Sequence, residues 1–149
     1  MPLYFYIYII SLIATAFLAM KISHVSWKRR PAEGAASMAL IMMSIALWAF
    51  FQAGVFLVRD LSDKIFMANM RYLCINLLAI SYLALAYTYS TRGKTLGRLS
   101  IVLLAVIPTI DMVLLWTNKY HNLFYDAVRM EKWGTIHKLV LVNGKFFYV

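Results

Sequence analysis

Apolar and polar positions along this chain fall in blocks. Four predominantly apolar stretches, residues 3–20, 35–58, 65–90 and 99–117, alternate with short segments that hold nearly all of the charge. A helix rising 1.5 Å per residue needs roughly 20 apolar residues to cross about 30 Å of hydrocarbon. The pattern therefore predicts an all-α membrane protein with four transmembrane helices. The first stretch opens on Tyr4, Phe5, Tyr6 and Tyr8, which suit an aromatic belt at a membrane interface, and it lacks the basic start of a cleavable signal peptide. It is expected to be a retained helix.

Beyond residue 117 the pattern changes. Residues 135–142 mix β-branched and polar side chains, Asn143-Gly144 is a turn dipeptide, and residues 145–149 return to a β-like aromatic run. This predicts a small extracellular β-hairpin turning at Asn143-Gly144, within an exterior tail of residues 118–149. The apolar ending Phe146-Phe147-Tyr148-Val149 leads to the expectation that residues 1–149 are a single membrane domain from an incomplete bundle.

Composition agrees with the blocks: 63% of residues are hydrophobic and 14% charged, which excludes an ordinary water-soluble domain. The net charge of +9 comes from cations beside the apolar spans, not from a continuous basic face, so it signals topology and not nucleic-acid binding. Lys21, Lys28, Arg29 and Arg30 face only Glu33 between the first two spans, and Arg92, Lys94 and Arg98 have no acid between the last two. Arg59 and Lys64 are balanced by Asp60 and Asp63. Positive-inside reasoning puts the amino terminus outside and the two basic loops in the cytoplasm, although the exterior tail itself carries five Lys and Arg.

Ionisable groups at membrane depth usually face a bundle interior, so Arg71 and Asp111 are the first functional candidates. Counted from the span ends, both lie about 9 Å deep. Gln52 falls in the same layer and Asn76 somewhat deeper. With Trp48, these residues make a candidate pocket for a small polar or anionic ligand arriving from outside. The competing readings are an Arg71–Asp111 ion pair that fixes helix register, an Arg71 that snorkels to the interface, a proton pathway, and a Trp48 that simply packs. Pro108 is expected to kink the fourth helix. Small-residue spacings, such as Ala32 with Ala36 and Ala49 with Gly54, make no convincing close-packing motif. Cys74 has no disulfide partner, and His24, His121 and His137 have no second ligand at metal spacing. No catalytic constellation or phosphate loop accompanies them, so neither an enzyme, a metal nor a cofactor is predicted.

The order of local patterns resembles the amino-terminal seven-helix membrane sensor region of bacterial histidine kinases. The matching stretches are Trp27-Lys28-Arg29-Arg30-Pro31 with Gly34 and Ala35, then Ala46-Leu47-Trp48-Ala49, Lys64, Tyr72-Leu73 and Tyr87-Thr88. The most specific are Ile107-Pro108 and Trp116-Thr117-Asn118 followed by His121, Leu123 and Phe124. The chain departs from the pattern at Leu78-Ala79-Ile80, where relatives often carry a proline, and near Gln52, where they often carry an acid. The resemblance implies a multi-pass protein of the bacterial inner membrane, comprising the first four helices and hairpin of a sensor that detects a small ligand or a membrane state. It also implies a homodimer through regions beyond this sequence, and a PAS, kinase or cyclase output module elsewhere. The alternatives are a small oligomeric transporter or channel subunit, or a structural membrane protein.

Overall fold

A computed structural model of the protein describes residues 3–91, 97–133 and 136–143. Its elements are α1 (Leu3–Lys28), α2 (Ala35–Leu57), α3 (Leu61–Ser90), α4 (Arg98–Trp116), the single turn α5 (Asn118–His121), and the strands β1 (Tyr125–Trp133) and β2 (Ile136–Asn143). All four long helices are long and apolar enough to cross a membrane. Two of them overrun the apolar blocks. α1 continues past residue 20 to Lys28, because no Gly or Pro interrupts it and its terminal cations suit the negative end of the helix dipole. α3 begins at Leu61, with Asp63 in its first turn at the positive end. Pro108 lies inside α4, which runs through it as one helix.

α1 and α2 meet along a seam of small side chains. Ala19 and Ser23 on α1, and Ala39, Ala46, Ala49 and Ala53 on α2, are all buried. Leu12 packs against Ala49 and Ala53, and Ser23 Oγ donates to the Ala39 carbonyl at 2.7 Å. Side chains this small let two helix backbones approach closely, which is how membrane helices gain packing without a hydrophobic driving force. The seam corrects the expectation that no close-packing motif is present. Its positions on α2 follow the face of the helix and not a single four-residue spacing.

The α1–α2 turn depends on Gly34, whose φ of 75° lies in the left-handed region. A Cβ there would stand 2.9 Å from Leu85 Cδ1. At the opposite end of the helices Lys64 is 1% exposed, and its Nζ donates to the Val55 carbonyl at 2.6 Å. It thus supplies from α3 the cation that α2 lacks in its own last turn. Lys64 is therefore a helix cap, and not the loop surface charge expected from its position in the sequence.

The strands form an antiparallel pair running from Tyr125 opposite Asn143 to Trp133 opposite Ile136, with an irregularity between Tyr125 and Ala127. The chain thus reverses between Trp133 and Ile136, whereas the expected turn at Asn143-Gly144 would start at the far end of β2. The Asn-Gly dipeptide is a strong local signal, while β1 contains Asp126, Glu131 and Lys132, residues of low strand propensity, so local preference alone selects the wrong partner. Residues 145–149, expected as the second strand, lie outside the described residues.

Candidate functional site between the helices

Three helices contribute to one polar chain. Arg71 of α3 donates through Nη1 to Gln52 Oε1 of α2 at 2.5 Å, and Gln52 Nε2 donates to the Tyr8 hydroxyl of α1 at 3.2 Å. Arg71 also sits 5.7 Å from the centroid of the Tyr72 ring. Among the described residues Arg71 makes no ion pair with Asp111. Counting along the helices put the two at one depth, but depth leaves direction around the helix axis undetermined.

Tyr72 connects this chain to the base of the hairpin. Its ring stands edge-on to Phe124 at 5.4 Å and tilted against Tyr125 at 6.2 Å, and the cluster closes on Leu115 of α4. Phe66 and Trp116, 6.3 Å apart, bring the start of α3 beside the end of α4. Asn118 fastens the strand to this corner. Its Oδ1 accepts from the N–H groups of Phe124 (2.8 Å) and Tyr125 (3.0 Å), and its Nδ2 donates to the Tyr125 carbonyl at 2.9 Å. His121 adds a further link. Its Nδ1 accepts from the Leu123 N–H at 3.1 Å, while its Nε2 lies 3.0 Å from Thr117 Oγ1, which itself donates to the Val113 carbonyl at 2.6 Å. This pattern calls for a neutral ring with its proton on Nε2.

Beside the corner is a cavity of about 300 Å³ whose walls include Asn69, Trp116, Asn118, Lys119, Tyr125 and Asp126. Asn69 Oδ1 and the Tyr125 hydroxyl are fully enclosed and make no hydrogen bond of ordinary geometry among the described residues. Burial pushes the Tyr125 phenol well above the usual tyrosine range.

The other expected site residues are placed apart from Gln52 and Arg71. Asn76 is half-buried and lies about 140° around α3 from Arg71, one turn below Tyr72 on the side that meets α4. Asp111, also half-buried, stands one turn below Leu115, so the two polar groups occupy facing sides of α3 and α4. Trp48 packs, partly buried, against the Leu12–Ala49–Ala53 cluster. The expected single pocket is therefore two polar groups on either side of α3, with Arg71 and Tyr72 between them. Sequence reasoning overlooked Tyr8, Asn69 and Tyr125. Tyr8 was hidden among the interface aromatics, while Asn69 carries a signal of its own, as an uncharged amide within an apolar span.

Comparison with known proteins gives the family. A family model described as the N-terminal 7TM region of histidine kinase matches residues 8–149. No curated protein and no solved structure matches the chain. The region so described is the membrane sensor part of histidine kinases, and not their catalytic part. With four candidate spans and a match over nearly its whole length, this multi-pass membrane chain belongs to the N-terminal seven-transmembrane-region family of histidine kinases.

Proposed function

We propose that the chain is the ligand-detecting input region of a bacterial histidine-kinase-type receptor in the cytoplasmic membrane, with its amino terminus and hairpin outside and its basic connections inside. A small polar or anionic solute arrives at the hairpin end. Binding there favours one packing of the helices, and the bias passes to a cytoplasmic output module by population shift.

One observation carries this reading: the contacts run unbroken from the hairpin base through Tyr125, Tyr72 and Arg71 to Gln52, joining the exterior corner to the α2–α3 contact. A solute that moves Tyr125 acts on Arg71 through a side chain that touches both. Three polar groups in the spans, Ser44, Ser81 and Thr88, support this reading over a channel subunit. Each donates to a carbonyl four residues earlier in its own helix and so offers little to a water path.

The test is a thermal-shift screen of small anionic and zwitterionic solutes against the purified protein, repeated on Gln52→Ala and Asp111→Asn. A solute that stabilises the native protein and loses that effect in either variant fits the reading. If no solute stabilises the protein, or if every active solute acts equally on both variants, the site lies elsewhere.

A further inference from the structure

A groove follows the α1–α2 pair on the side away from the polar chain. One stretch of about 650 Å³ is walled entirely by apolar residues, among them Ile13, Phe17, Leu47, Phe50 and Met67. A second, of about 500 Å³, shares Met20 with the first and continues to Ser23, His24, Trp27 and Met43. Gln52 lies two residues from Phe50, about 200° around α2, and Tyr8 lies five residues from Ile13, about 140° around α1. The groove and the Tyr8–Gln52–Arg71 chain thus occupy opposite sides of the helix layer. A water-soluble solute finds almost no hydrogen-bond partner along the groove, whereas a hydrocarbon chain finds continuous contact.

The chemistry changes at one end. Lys28 follows His24 by four residues on the same stripe of α1, and Arg29 and Arg30 come next, all exposed. The Arg30 guanidinium stands 5.4 Å from the centroid of the Trp27 ring, a pairing suited to the headgroup layer. Glu33 is the one acid in this turn. The surface is therefore a long apolar slot ending in a cationic cluster, complementary to a molecule with a hydrocarbon tail and an anionic head.

We propose that this groove binds an anionic phospholipid, with one acyl chain along the α1–α2 slot and the headgroup phosphate on Lys28, Arg29 and Arg30. The site needs only that the chain sits in a bilayer, and it is independent of the solute reading given above.

The experiment is native mass spectrometry of the protein released from micelles containing equal amounts of phosphatidylglycerol and phosphatidylcholine with identical acyl chains. The expected result is preferential retention of phosphatidylglycerol, by at least about tenfold, with each cation contributing about fivefold. Changing Lys28, Arg29 and Arg30 together to Gln should abolish the preference, while Arg59→Gln at the far end should leave it intact. Met43→Trp, or Leu40→Trp if the first fails to fold as judged by circular dichroism, should lower retention of both lipids without altering their ratio. Equal retention of the two lipids by the native protein overturns the proposal, as does a triple variant that keeps the preference. So does a slot-filling variant that retains lipid like the native protein, or one whose main effect is to dissociate a protein dimer, since the occupant would then be a second copy.

Discussion

Asn118 grips the peptide of Tyr125 from both sides, accepting from its N–H at 3.0 Å and donating to its carbonyl at 2.9 Å. A backbone pairing of this kind is ordinarily supplied by another strand. Here a side chain supplies it where the strand leaves the helices, and the same Oδ1 also holds the Phe124 N–H. Asn118→Ala removes all three bonds and leaves half-buried backbone groups unpaired. The expected loss is about 2–3 kcal/mol of stability, most of it at the corner between α4 and β1. Hydrogen exchange should show faster exchange at Phe124 and Tyr125 with the middle of α1 unchanged. Uniform acceleration along the chain would contradict this.

Arg71 and Gln52 should be energetically coupled. Removing Gln52 alone leaves a guanidinium in the helix layer without its acceptor, whereas removing both side chains removes the need for one. A double-mutant cycle with Gln52→Leu and Arg71→Met, read by thermal unfolding in detergent, should give a coupling of about 1–3 kcal/mol. The cycle of Arg71→Met with Asp111→Leu should give nearly none, because the two groups make no ion pair. The reverse ranking would restore the Arg71–Asp111 pair.

Gly34 combines a left-handed backbone with a neighbour at 2.9 Å from the place a Cβ would take. Gly34→Ala should cost about 1–2 kcal/mol from the backbone alone, with more from displacing Leu85. Gly97, whose Cβ would meet nothing within 4 Å, is the natural control. If Gly97→Ala lowers the unfolding midpoint as much as Gly34→Ala, the strain argument is wrong.

Tyr125 gives the protein an alkaline limit. Its phenol is raised in the folded state by burial, so the folded protein keeps a proton that the unfolded chain releases near pH 10. Folding thus binds more protons than unfolding in that window, and stability falls as pH rises. The contribution is complete below about pH 10 and is lost as the pH climbs toward the folded value. The difference in phenolate absorbance between the native protein and Tyr125→Phe should appear only above the ordinary tyrosine range. A difference titrating near pH 10 would mean that the hydroxyl reaches solvent.

The four spans are legible because membrane crossing is a property of block length, and block length is written in the sequence. The ends of α1 and α3 are less so, since a helix continues through charged residues wherever their tips reach water. The candidate site was half legible. Gln52 and Arg71 stood out as polar residues in apolar runs and do meet, and Asn76 and Asp111 stood out for the same reason but face another helix pair. What the sequence leaves open is azimuth, which depends on how neighbouring helices pack. The hairpin illustrates the same limit in a sheet, because Asn143 pairs with Tyr125, a residue chosen by the Asn118 clasp and not by its own neighbours.

The burial of Lys64 also alters what the α2–α3 turn presents to its surroundings. By count this segment is neutral, with Arg59 and Lys64 against Asp60 and Asp63. With Lys64 withdrawn onto the Val55 carbonyl, the exposed side chains are one cation and two acids, so the turn shows a local charge of −1 to approaching ions. Dissolved cations will gather weakly at this rim and anions will avoid it. An anionic solute is thereby steered away from the α2–α3 turn and toward the side where α4 meets the hairpin, and Lys119, exposed beside the cavity there, is the charge that draws it in.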